Sequence, residues 1–257
     1  MLVDSHCHLD FPELANRIDQ VLSSMERARV GAALCIGVSL EKMPDVLSLA
    51  EQHENLFASV GVHPEHQDCR EPDVATLLRY AQHQRVIGIG ETGLDYYWHK
   101  DRPEWQRERF RTHIRAARES HKPLIIHTRD SAEDTLRIMR EEGAEAVGGI
   151  MHCFTETQAV ADCAARRRAD CSVGYGGWRA ANCGSASDQP GRVRGRSGAA
   201  GAAECLGGRE AGARFIGSCA AYRACRGACG ICRRVCAAAG CHQRRGRSVG
   251  GGVRRGR

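Results

Sequence analysis

The sequence predicts an α/β fold, a TIM (β/α)8 barrel in which the first six βα units are legible. Three observations carry that reading. Between residues 1 and 162, apolar runs of strand length alternate with segments of helical period, the pattern of βα units around a parallel sheet. The chain has 257 residues, close to the ~250 typical of one such barrel. Histidines and one glutamate of metal-binding type fall at the ends of the strand-like runs, which in a parallel barrel open onto a single face.

Val3–Cys7 is the first expected strand, running into His6-Cys7-His8. Side chains alternate across a strand, so His6 and His8 share one side and Cys7 takes the other. Leu14, Ile18, Val21, Leu22 and Met25 recur at helical spacing and predict a helix over Pro12–Val30, ended by Gly31. A strand at Ala33–Val38, a helix at Pro44–His53 and a strand at Phe57–Val62 follow, the last leading into His63-Pro64. Pro72–His83 is the next helix, with Val74, Leu77, Leu78 and Ala81 inward. Val86–Gly90 is a strand that leads into Glu91-Thr92-Gly93-Leu94-Asp95-Tyr96. Arg102–Ser120 reads as a long polar helix, with Pro103 suited to its first turn. Pro123–Ile126 is the fifth strand and leads into His127-Thr128-Arg129-Asp130. Ser131 to Asp134 resembles a capping box opening a helix to Glu142. Ala146–Met151 is the sixth strand, ending at His152, and Glu156–Ala161 begins a sixth helix. From Cys163 onward no strand or helix is expected.

The net charge of +6 hides two unlike parts. Residues 1–162 carry 18 Lys+Arg against 27 Asp+Glu, whereas residues 163–257 carry 19 Arg, no Lys and four acids. Ten of the 14 cysteines also lie after residue 162. The average charge is therefore no sign of a nucleic-acid footprint. The front part has no apolar run long enough to span a membrane and no secretory leader, and its four scattered cysteines suit reduced thiols. A cytoplasmic protein without membrane partners is expected. The rear part, rich in Arg, Gly, Ala and Cys, lacks the apolar surface that offsets ordering entropy. Cys225, Cys229, Cys232 and Cys236 share a helical face, but paired Cys-x-x-Cys knuckles of a zinc site are absent.

His6, His8, Glu91, His127 and His152 form the expected metal set, because all five stand at strand C-termini. Mixed imidazole and carboxylate ligands suit zinc, manganese, iron or nickel. Glu91, central in strand order, is the expected bridge between two ions, and such a pair implies hydrolysis. His63 either meets substrate phosphate or orders its loop. Arg129 is a phosphate clamp or a solvated arginine, and Asp95 supports the metals or shapes a turn.

Asp4-Ser5-His6-Cys7-His8-Leu9-Asp10, Gly61-Val62-His63-Pro64, Gly88–Tyr96, Pro123–Asp130 and Met151-His152-Cys153-Phe154-Thr155 together resemble the TatD family. Those are metal-dependent deoxyribonucleases and related hydrolases on an amidohydrolase-like barrel. The resemblance covers residues 1 to about 162. It implies that His6 and His8 hold one divalent ion, that His127 and His152 hold a second, and that Glu91 bridges them. The ions would be Mg, Mn or Zn, the substrate DNA, and the reaction phosphodiester cleavage by metal-activated water. The alternatives are an amide or ester hydrolase, an inactive metal-binding chain, or a basic-tailed nucleic-acid binder. The resemblance also implies an aspartate after an eighth strand, in a Glu-Thr-Asp-Ser/Ala-Pro context. That motif is missing, and Asp170 and Asp188 are the only aspartates after residue 162. Residues 163–257 read as an out-of-frame translation of a GC-rich gene that impairs the enzyme. Some nucleotide strings encoding Cys236–Val249 read, one base later, as Ala-Gln-Leu-Leu-Gly-Val-Thr-Ser-Ala-Glu-Val-Glu-Ala, which resembles the family's C-terminal helix.

Overall fold

In a computed structural model of the chain, which describes residues 2–165 and 169–171, the strands follow one another in a single parallel sheet. They are β1 (Leu2–Cys7), β2 (Val30–Cys35), β3 (Leu56–Val60), β4 (Val86–Asp95), β5 (Leu124–Arg129), β6 (Gly149–His152) and β7 (Ala169–Cys171). Their order in the sheet is their order in the chain, the outcome of successive βαβ crossovers in one sense. The helices are α1 (Pro12–Ala15), α2 (Ile18–Arg27), α3 (Met43–Gln52), α4 (Val74–Ala81), α5 (Glu104–Ser120), α6 (Ala132–Glu141) and α7 (Gln158–Ala165). Among the described residues no helix is long and apolar enough to cross a membrane.

Strand alternation divides the core into two layers. Leu34, Ile36, Phe57, Ile87, Ile125 and Ile150 pack together inside the curl of the sheet. Their chain neighbours Ala33, Cys35, Leu56, Ala58, Val86, Leu124 and Ile126 belong to the other cluster, with the helix residues Val46, Leu77, Phe110, Ile114 and Ile138. Burial on both faces explains why the strands read as continuous apolar runs. It also sets the site, because His127 and His152 lie two residues beyond Ile125 and Ile150 and so share the inner side.

Several elements depart from the sequence reading. The helix expected over Pro12–Val30 is two helices, α1 and α2, broken at Arg17, whose backbone (φ −136°, ψ 34°) is not helical. Leu14, Ile18 and Val21 keep helical spacing across the break, so periodicity does not detect it. Pro103 stands just before α5 rather than in its first turn. No capping box forms at Ser131, because its Oγ donates instead to the Leu94 carbonyl at 2.9 Å. β7, which pairs Gly149–Met151 with Ala169–Cys171, falls where no strand was expected. Three arginines directly before it and a length of three residues leave no alternation to read. The Cys225–Cys236 face and the rest of the tail beyond Cys171 lie outside the described residues.

A polar stripe on α5 secures the loop after β3. Gln106 Nε2 donates to the Pro64 carbonyl at 2.9 Å, and Arg109 Nη1 donates to the carbonyls of His63 (2.9 Å) and His66 (2.7 Å). His113 Nε2 accepts the Val62 N–H at 3.1 Å, while its Nδ1 donates to the Arg109 carbonyl at 2.7 Å. All three side chains are buried. Burial is the main cause that lowers the His113 imidazole to about 4. Below the ordinary value of 6.5 the unfolded chain takes up a proton that the folded chain refuses until about 4, so stability falls as pH drops through that window. The full difference is on the order of 3 kcal/mol. We predict that denaturant midpoints of His113→Gln fall less between pH 6.5 and 4 than those of the parent chain. Equal acid sensitivity in the two would contradict the assignment.

Candidate metal centre

Glu91 stands within β4 with its carboxylate buried, 3 % exposed, under the open end of the curl. Two glycines let the neighbouring backbones close around it. A Cβ on Gly61 would collide with the backbone of Gly90, and one on Gly93 would collide with the His127 carbonyl oxygen. Gly93 also has φ +135°, a conformation L side chains rarely adopt.

Glu91 Oε2 lies 3.2 Å from His6 Nε2, and Oε1 lies 3.3 Å from His127 Nδ1 and 3.7 Å from His63 Nε2. His127 Nε2 donates to Asp95 Oδ2 at 2.9 Å. Donor atoms therefore gather in three groups that share members: His6, His8 and Glu91; His63, Glu91 and His127; and Glu65, Asp95 and His127. His152 is in none of them. Its ring lies against that of His6, 3.3 Å between centroids and 8° from parallel, so the curl brings the ends of β1 and β6 together. The five residues expected at the strand ends thus converge on one face. Arg129 makes no hydrogen bond or ion pair to this cluster; its guanidinium lies 3.8 Å over the Tyr97 ring, and its charge acts to lower Asp95.

The electrostatics call for a cation. Burial alone would raise the Glu91 carboxyl, but His6 and the hydrogen bond with His127 outweigh it and hold the group well below its ordinary range. Burial acts to lower His127, yet its bonds to Asp95 and Glu91 raise it to about 9. Burial dominates at the other rings, and it holds His8 near 4 and His63 and His152 near 3. Those three are neutral imidazoles at neutral pH, the form that ligates metal.

The donor set fits a divalent ion. Both ring nitrogens of His6 and Nδ1 of His8 are buried without a hydrogen-bond partner. His6 Nε2 is close to Glu91 but out of line for a hydrogen bond, as expected of two donors turned toward a common point. His127 has the carboxylate–histidine arrangement in which the outer nitrogen bonds an acid and the inner one faces a metal.

His63 differs. Its Nδ1 accepts the Glu65 N–H at 3.2 Å, so in the neutral ring Nε2 carries the proton and faces the site as a donor. A protonated Nε2 does not ligate metal, which sets His63 apart from the other histidines, while its Nδ1 bond ties down its own loop. Glu65 escaped the sequence reading, since nothing in its local pattern distinguishes it from a loop acid. Of the two readings of Asp95, metal support or turn former, the structure shows the turn: its Oδ1 accepts the N–H groups of Tyr97 and Trp98, each at 3.0 Å.

Residues 3–186 match the family described as TatD related DNase, past the point near residue 162 where the motifs stop. An uncharacterised metal-dependent hydrolase of Bacillus subtilis, YabD, is 38% identical over 162 residues, 63% of this chain and 64% of that protein. A protein of Erwinia amylovora named 3'-5' ssDNA/RNA exonuclease TatD is 30% identical over 180 residues, 69% of this chain and 68% of that one. The chain spans about three fifths of the length of the curated relatives it matches first. Among solved structures, a TatD homologue from Escherichia coli superposes with a TM-score of 0.60 at 23% identity, over 66% of each chain, and shares the fold.

Metal affinity tests the centre directly. Calorimetric titration with Mn or Zn should show that Glu91→Gln, which loses the carboxylate common to two donor groups, abolishes tight binding. Asp95→Asn, which weakens the bond that orients His127, should weaken it by roughly 10–100-fold. Unchanged affinity in Glu91→Gln would remove Glu91 from the centre.

Proposed function

The chain belongs to the TatD related DNase family, and from that premise we propose that it is a metal-dependent hydrolase of phosphodiester bonds in DNA. One observation carries the reading: a single buried carboxylate, Glu91, faces His6 on one side and His127 on the other. In this reading His6, His8 and Glu91 hold one divalent ion and Glu91, His127 and His152 hold the second, Mg, Mn or Zn. When bound, such ions polarise a phosphoryl oxygen and supply a nucleophile from water near neutral pH.

The chain's own residues do the rest. Asp95 holds the His127 ring with Nε2–H outward, so that Nδ1 stays turned to Glu91. His63 keeps its proton on Nε2 and donates it in a hydrogen bond to a phosphoryl oxygen. Arg129, on the same side of β5 as His127, adds positive charge at the rim for the phosphate backbone. A cytoplasmic location belongs to the same reading. The relative named an exonuclease on ssDNA and RNA supports nucleic acid as the substrate class.

The aspartate that the family resemblance implies after an eighth strand has no counterpart in the sequence. The second half of the proposal is that a change of reading frame removed it, in the interval between Asp162 and the end of the family match at residue 186. Sequencing of the gene from codon 155 through codon 190 checks that cause.

Two activity measurements follow. In a frame-restored chain, cleavage of DNA with Mg or Mn should fall by a factor on the order of 10³ in Glu91→Ala, while amide substrates stay intact. Robust amide hydrolysis without DNA cleavage would favour the amidase alternative. Next, the chain as written and the frame-restored chain are compared for solubility, far-UV spectrum and nuclease rate. Restoration should raise the rate by roughly 10²–10⁴, the worth of one positioned base. Equal folding and equal rates would show the tail to be native.

A further inference from the structure

Three large apolar side chains are exposed among the described residues: Trp98 at 61 %, Tyr97 at 42 % and Phe11 at 41 %. Single exposed apolar residues are ordinary, but these three share a location. Phe11 follows β1 and Tyr97 and Trp98 follow β4, so all sit on the face where Glu91 and the histidines converge. Phe11 stacks on His8, 4.9 Å between ring centroids. Among the described residues, the ends of β2, β3, β5 and β6 carry none.

Tyr97 and Trp98 are built into a defined unit. Their rings meet edge to face, 4.8 Å apart and at 86°. The Arg129 guanidinium lies 3.8 Å over the Tyr97 ring and 5.8 Å from that of Trp98. Parallel pairing of Asp95 with Arg129 and a bond from Tyr96 N–H to the Arg129 carbonyl, 2.9 Å, join the turn to the end of β5. Asp95 Oδ1 accepts both amide protons of the turn, and the same carboxylate's Oδ2 orients His127. The aromatic pair is thus held at a fixed distance from the centre by a residue that also sets a metal donor.

We infer that Tyr97, Trp98 and Arg129 form a stacking subsite for an unpaired nucleobase of the strand whose backbone lies at the metal centre. The inference deepens the proposed nuclease reading and rests on it. Trp98 offers an open indole face, and every base has a π-face to lay on it, so the contact is tolerant of sequence. Arg129 backs the aromatic pair and supplies the charge that a phosphate-linked strand requires. Bases within a duplex are already stacked on their neighbours, so the subsite selects single-stranded ends.

The full chain, with metal withheld by EDTA, is titrated with fluorescein-labelled octathymidylate and with an abasic strand of the same length, read by anisotropy. Trp98→Ala should bind octathymidylate about tenfold more weakly, while Trp98→Phe, which keeps a stacking face, stays near the parent chain. The abasic strand should bind parent and Trp98→Ala alike. Intrinsic fluorescence should be quenched by octathymidylate in the parent chain and not in Trp98→Phe. Because Trp98 is exposed, matching far-UV spectra are expected for all variants. Equal affinity for the two strands, no loss in Trp98→Ala, or no binding of either strand overturns the subsite. No metal-dependent cleavage of DNA in the frame-restored chain, with these binding differences intact, would sink the hydrolase reading and leave the subsite standing.

Discussion

A carboxylate that cannot reach water must find positive charge, and Glu91 is such a carboxylate. An unpaired buried ion costs several kcal/mol even after relaxation. In the metal-free chain a proton on His127, held there by Glu91 and Asp95, meets part of that demand. The neutral rings of His8, His63 and His152 add no charge. A divalent ion would answer the same demand more completely, and His6 and His8, whose ring nitrogens hydrogen bonding leaves idle, would hold it. The surrounding backbone is consistent with this priority. Gly61 and Gly93 allow β3 and β5 to approach β4 more closely than any side chain would permit.

The fold was legible because both core layers write themselves into the strands. Ile125 and His127, or Ile150 and His152, follow the two-residue period from the inner apolar layer straight into the site. That period is local, so the shared face of His6, His8, Glu91, His127 and His152 was legible in the sequence. What escaped is decided by distant chain segments. β4 runs on to Asp95 because β5 is there to pair with it, and only that pairing makes Asp95 the joint between His127 and a turn. The role of His63 depends on which nitrogen receives the Glu65 amide proton. The closeness of His152 to His6 comes from sheet curvature, since the two strands are far apart in sheet order.

The same contrast shows in α5. Its sequence reads as a polar helix, and a period search for apolar residues finds only part of its buried face. Phe110, Ile114 and Ala117 pack into the core, but Gln106, Arg109 and His113 are buried beside them. These three bind the backbone of residues 62–66 and hold the His63 loop against the end of β4. An apolar stripe of the same shape would pack as well, yet would leave the carbonyls of His63, Pro64 and His66 and the Val62 amide unpaired, at about 1–3 kcal/mol each where buried. Gln106 also takes the Asp95 amide on its Oε1 at 3.1 Å, so one side chain ties the loops after β3 and β4 to a single helix. Catalytic geometry on loops is precise only when the loops are fixed by rigid elements. Here the helix that fixes them is the one whose buried face is partly polar. Its polarity is therefore a structural requirement of the site above it, not a solvated surface.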